Sequence, residues 1–118
     1  MNKYIILGSI ITLTCIIACT SDTEEPVSCD TSDLTYTNEI AAILNSSCAT
    51  TNACHTSSTN VTFSLANYDD VLTQIPNNRL SGSINQTSGF DPMPKGASKL
   101  PDCTIDQIDQ WLANGAPE

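Results

Sequence analysis

Basic residues are scarce in this chain of 118 residues: four Lys and Arg stand against thirteen Asp and Glu, a formal charge of −9. That balance excludes electrostatic binding to nucleic acid or to an anionic membrane face, both of which need a basic surface. It suits partners that present basic patches. Histidine occurs once, at His55, so there is no histidine-rich metal site and no second imidazole to act as a catalytic base. Aromatic residues make up 5% of the chain, which limits any core they build to a small one. No stretch alternates apolar and polar residues in the manner of a half-buried strand. Gly82 and Gly96 form no phosphate-binding pattern, and Asp69-Asp70 reads as solvated helix surface. The one long apolar run, over residues 4–17, is too short for a comfortable membrane-spanning helix.

That run has another use. Met1-Asn2-Lys3 gives a short basic start, the apolar stretch follows, and Ala18-Cys19 closes it, which is the pattern of a secretory signal. The close, Ile16-Ile17-Ala18-Cys19, resembles the lipobox of bacterial lipoproteins and implies cleavage before Cys19 and lipidation of its sulfur. The plainer placement is an ordinary secretory signal cut nearby, with Cys19 a bystander thiol. The chain divides into a signal at 1–18, an acidic disordered tether at 19–28 and one small domain at 29–118. Loss of Lys3 with the signal leaves three bases against thirteen acids, a charge of −10. The lipoprotein reading places the domain in the bacterial cell envelope, held by its lipid to a membrane, the outer one, with a periplasmic or surface-facing domain. The acidic run after Cys19 resembles a signal that sends some Gram-negative lipoproteins to the surface.

Six cysteines in so short a chain point to an oxidising compartment. Two of them lie in Cys48-Ala49-Thr50-Thr51-Asn52-Ala53-Cys54-His55. A pair of cysteines with histidine directly after the second is the order in which a chain attaches a c-type haem: the thiols add to the vinyl groups and the imidazole reaches the iron. Five residues separate these cysteines where the common form has two, so the extra residues must bulge away from the ring, a task the small polar Thr50, Thr51 and Asn52 suit. The remaining count closes in two ways. With haem, Cys15 leaves with the signal, Cys19 carries lipid, Cys48 and Cys54 carry haem, and Cys29 and Cys103 are left to pair. Without haem, Cys48 pairs with Cys54 and Cys29 with Cys103, so parity does not decide.

Helical periodicity organises the rest. A first helix is expected over residues 33–47, with Thr37 as N-cap and Ile40, Ile43 and Leu44 on one face. A second is expected over residues 64–74, capped by Ser64 and stopped by Pro76, followed by a short helical turn at residues 79–84. Residues 86–100 hold two glycines and two prolines without periodicity and read as loop. A final helix has Thr104 and Gln107 as a capping box, a stripe of Ile105, Ile108, Trp111 and Leu112, and Gly115 just past its end. The fold class is all-α: a small helical domain with long loops. A domain this small buries only about 60% of its unfolded surface, and one buried haem would supply apolar core. Such an iron needs a second axial ligand, commonly methionine on a loop. Met93, between Pro92 and Pro94 in a polar loop, is outside any helical stripe, and the prolines lower the entropy cost of holding its sulfur in place.

Over residues 36–117 the chain resembles small bacterial c-type cytochromes, especially lipid-anchored ones. Tyr36, Ile40, Ile43-Leu44 and Cys48 carry the resemblance at the entry, then Cys54-His55 and Met93-Pro94, then Ile105, Ile108, Trp111-Leu112 and Gly115-Ala116-Pro117. The resemblance implies a cytochrome c-like domain around one haem, thioether bonds at Cys48 and Cys54, His55 as proximal ligand and Met93 as distal ligand. It also implies crossing first and last helices, with Trp111 packed against Ile40 and Leu44. The expected function is electron transfer to a redox partner protein, not catalysis, because His and Met together close both axial positions. A haem-free, disulfide-stapled lipoprotein acting as an interaction module is the alternative. A haem enzyme such as a weak peroxidase is a third reading, which needs Met93 to stay off the iron. Zinc is disfavoured because Cys48, Cys54 and His55 lack a fourth ligand.

Overall fold

The computed structural model describes residues 28–48, 54–56 and 62–118. The signal sequence, Cys19, most of the acidic tether and the spacer between Cys48 and Cys54 lie outside the described residues. Among the described residues the regular structure is helical, with no strand. A π-helical turn, Tyr36–Ile40, runs directly into α1, Ala41–Ser47. After it come α2, Tyr68–Leu72, α3, Arg79–Ile84, and α4, Asp102–Ala113. No helix among the described residues is long and apolar enough to cross a membrane.

The helix starts differ from the expected ones, each for a local reason. Asp33 has φ +50° and so turns the chain before the first helix begins. Thr35, in extended conformation, is the cap in place of Thr37: its hydroxyl accepts from the Asn38 backbone N–H at 3.1 Å. At α2 the cap is Asn67, accepting from the Asp70 N–H at 2.9 Å. Ser64, the expected cap, instead donates to the Asp70 carboxylate at 2.6 Å. Asp70 is therefore half-buried and bonded, whereas Asp69 is exposed. The capping box at Thr104 is absent because α4 has already begun at Asp102, directly after Pro101. Gln107 donates instead to the Asp30 carbonyl at 3.0 Å.

One cluster joins the elements. Ile40, Leu44, Val71, Ile108 and Trp111 are fully buried, and Leu34, Leu65, Leu80, Ile84 and Ile105 nearly so. The π-helical turn packs on α4, with the Tyr36 and Trp111 rings 6.4 Å apart and the Tyr68 ring 5.2 Å from that of Tyr36 at a tilt of 50°. Burial, and then the charge of Asp70, push the Tyr36 phenol above its ordinary pKa. The C-terminal segment locks this corner. Gly115 (φ +88°) ends α4 in a Schellman turn: the Ala116 N–H reaches the Trp111 carbonyl at 2.9 Å and the Gly115 N–H the Leu112 carbonyl at 3.1 Å. The turn brings the Pro117 carbonyl back to accept from both the Tyr36 N–H (2.9 Å) and Trp111 Nε1 (2.8 Å). Tyr68 donates its hydroxyl to the Ala116 carbonyl at 2.7 Å. The indole is thus buried with its polar atom satisfied.

Two further ties hold α4 in place. Asp109 accepts from Ser81 (2.7 Å) and Asn85 (2.8 Å), joining α4 to α3. Cys29 and Cys103 are bonded, with Cα atoms 5.4 Å apart, so the start of the domain is stapled to the first turn of α4. The link spans 74 positions, and on the chain-entropy model closing such a loop contributes about 4 kcal/mol.

Two outcomes test this packing. Trp111→Ala should cost about 3–5 kcal/mol in denaturant unfolding, the range for emptying a buried aromatic site; a loss near zero would remove Trp111 from the centre of the core. Non-reducing peptide mapping should recover Cys29 and Cys103 joined. Recovering both as free thiols would contradict the staple.

Candidate functional site

A cavity of about 610 Å³ opens between the C-terminal end of α1, α3 and the loop after α3. That volume lies within the roughly 300–1,000 Å³ of ordinary ligand sites. Its wall combines apolar Phe63, Leu65, Leu80, Ile84 and Phe90 with Cys48, His55 and Met93. Three of the four expected haem-binding side chains therefore share one wall, although Met93 is 38 positions from His55 in the chain. The fourth, Cys54, is exposed and is not part of the wall.

Each side chain is placed by its own local structure. Cys48 ends α1, its N–H bonding the Leu44 carbonyl at 2.8 Å. It is a free thiol, as is Cys54. Burial, with the nearby Cys54 as the smaller cause, pushes the Cys48 thiol up to about 11. The group is therefore neutral at physiological pH, and its sulfur is a weak nucleophile until it is deprotonated.

His55 is held at two points. Its Nδ1 lies 2.8 Å from the Phe63 carbonyl oxygen, and its own carbonyl accepts from the Leu65 N–H at 3.0 Å. A carbonyl only accepts, so Nδ1 carries the proton in this contact, and in the neutral ring the lone pair belongs to Nε2. A backbone carbonyl bonded to the far nitrogen is the usual way a metal-binding imidazole is held in one orientation.

Met93 hangs from α3 through its N–H, which donates to the Ser83 carbonyl at 3.0 Å. The loop before it is folded back by the Thr87 N–H to Gly82 carbonyl bond (2.9 Å) and the Phe90 N–H to Thr87 carbonyl bond (3.1 Å). The Met93–Pro94 peptide bond is cis. α3 thus supports the loop that brings the thioether to the wall, and Ile84 and Leu80 of α3 line the same space.

Sequence patterns missed two contributors. Gly82 is buried in α3, and a Cβ there would meet the Phe90 ring at 2.5–2.7 Å. The glycine admits the ring against the helix and so shapes the cavity; its place outside any glycine motif concealed this. Arg79 extends over Phe63, its guanidinium carbon 4.0 Å from the ring centroid, and also reaches the wall. Among the described residues no group of three or more His, Cys, Asp or Glu is arranged to hold a metal ion. An iron already held in a porphyrin needs only two ligands from the chain. Comparisons with family models, with curated proteins and with solved structures returned no match.

Two measurements probe the wall. In the haem-free reduced chain, alkylation of Cys48 should rise with a midpoint near pH 11; a midpoint in the ordinary thiol range would show that Cys48 is not buried. Helix propensity alone favours alanine over glycine by about 1 kcal/mol. Gly82→Ala should nonetheless destabilise the domain by about 1–3 kcal/mol, because Phe90 must move. A stabilised variant would contradict the packing.

Proposed function

We propose that the chain is an electron-transfer protein that holds a covalent c-type haem in this cavity and is anchored to the cell envelope by lipid at Cys19. The observation that carries the reading is the convergence of His55, Met93 and Cys48 on one largely apolar cavity, with His55 turned so that Nε2 is its free donor. The donor set fits the group: an imidazole nitrogen and a thioether sulfur are the usual axial pair of an electron-transfer haem, and thiols are the groups that add to its vinyls.

In this reading Cys48 and Cys54 would carry the thioether bonds, His55 would be the proximal ligand and Met93 the distal one. When bound, the haem supplies a one-electron couple, and methionine ligation raises its potential. The residues of the chain supply the rest. The Phe63 carbonyl keeps the proton on Nδ1 and the ring in one orientation. Leu65, Leu80, Ile84, Phe63 and Phe90, which line the cavity, would keep water from the bound group. The Ser83 carbonyl fixes the backbone at Met93. With His55 and Met93 both holding the iron, no position would be left for a substrate, so the proposed function is electron exchange with a partner protein and not turnover of a bound substrate. The acidic balance of the chain, thirteen Asp and Glu against four Lys and Arg, suits a partner that presents basic patches.

The test is the visible spectrum of the dithionite-reduced protein, produced in a host that attaches c-type haem, followed by acid–acetone extraction. A sharp alpha band with haem retained on the protein is expected. Absence of any band would overturn the haem reading. Haem that passes into acetone would keep His55 as ligand and remove the thioethers. Met93→Ala should then abolish the weak sulfur-to-iron absorption of the oxidised protein, and an unchanged band would take Met93 out of the site.

A further inference from the structure

Residues 87–93 hang from two consecutive carbonyls of α3. The Thr87 N–H donates to the Gly82 carbonyl at 2.9 Å, and the Met93 N–H to the Ser83 carbonyl at 3.0 Å. Between these bonds the loop meets the same helix a third time. The half-buried Phe90 ring lies where a side chain at Gly82 would begin, with Cδ2 at 2.5 Å and Cγ at 2.6 Å from an ideal Cβ there. Cγ lies on the axis about which the ring turns, so spinning the ring does not clear it. A methyl at Gly82 therefore either swings the side chain out of its seat or moves the loop backbone. α3 does not yield instead, because Asp109 of α4 holds it through Ser81 and Asn85. The Phe90 N–H is tied to the Thr87 carbonyl at 3.1 Å, and Met93 follows three residues later, so a shift at Phe90 is passed to the thioether. A single hydrogen bond contributes little net stability, and the seated ring adds the apolar contact that the two anchors lack.

We propose that the fit of Phe90 onto Gly82 is the latch that keeps the Met93 thioether on the iron, so that unseating the ring opens the cavity to a small neutral ligand such as carbon monoxide. The proposal rests on the haem reading and deepens it. It gives the choice between a closed and an open axial position to two residues that supply no ligand themselves. Gly82 is a positioning residue for Met93: it acts through Phe90, whose ring it admits, and through its own carbonyl, which holds the start of the loop. The device is a fit of sizes, one missing side chain against one aromatic ring, and so it can be broken at one residue and restored at the other.

The experiment uses the full chain, purified in detergent from a haem-attaching host. It reads the weak sulfur-to-iron absorption of the oxidised form and carbon monoxide binding by the reduced form. The wild-type chain should show the absorption and stay inert to carbon monoxide. Gly82→Ala should lose the absorption and bind carbon monoxide, and adding Phe90→Ala, which removes the colliding ring, should restore the absorption. Phe90→Ala alone keeps both anchor bonds and the absorption. Imidazole should displace Met93 from it at about one-tenth of the wild-type concentration, the order expected of one half-buried aromatic ring. Thr35→Ala removes a helix cap away from the loop; it should lower unfolding stability and leave the absorption unchanged. An intact absorption in Gly82→Ala, its loss in Thr35→Ala, or wild-type imidazole displacement in Phe90→Ala would overturn the latch while leaving the haem reading standing. If Gly82→Ala does not fold, the imidazole titration of Phe90→Ala decides alone. A wild-type chain without the absorption would take Met93 off the iron and overturn both.

Discussion

The hydrogen bond from His55 Nδ1 to the Phe63 carbonyl is the constraint on which the site depends. It decides which imidazole nitrogen is protonated, and hence which one is available as a donor into the cavity. Because Phe63 is itself clamped under Arg79 and its neighbour Leu65 returns a bond to His55, the orientation does not rest on one contact. An isolated histidine after a cysteine would sample many rotamers. This one has its ring pinned at the far nitrogen and its backbone pinned at the carbonyl.

The scaffold makes room for that arrangement by concentrating its stability elsewhere. The first helical segment and α4 are joined through Trp111, Tyr36 and the Pro117 carbonyl, and the Cys29–Cys103 bond staples the far end of α4. α3 is held to α4 by Asp109 through Ser81 and Asn85. With these contacts on one side, the opposite face of α3 is free to support the Met93 loop and to line the cavity. Gly82 belongs to both tasks, since it sits in the supporting helix and admits Phe90 to the wall.

Much of this was legible in the sequence, for specific reasons. The stripe of Ile105, Ile108 and Trp111 has helical spacing and became the buried face of α4. The Cys29–Cys103 pairing came from counting. Met93 stood out because prolines flank it and no helical stripe includes it, and it does line the cavity. What failed was the assignment of caps. Thr37, Ser64 and Thr104 are all plausible caps by type, but Asp33's positive φ, the Asn67 side chain and Pro101 set the actual starts. Capping depends on the backbone angle of one residue, which composition does not reveal. Arg79 and Gly82 were invisible for a different reason: each matters only through a neighbour, Phe63 or Phe90, whose position is set by long-range folding.

The central claim is that one cavity holds an iron between a nitrogen of His55 and the sulfur of Met93. Iron-edge X-ray absorption of the purified protein tests it most directly. The account predicts a shell of nitrogen scatterers with one sulfur neighbour, and loss of that sulfur in Met93→Ala. Iron with nitrogen and oxygen neighbours only, or a protein that purifies without iron from a haem-attaching host, would contradict it.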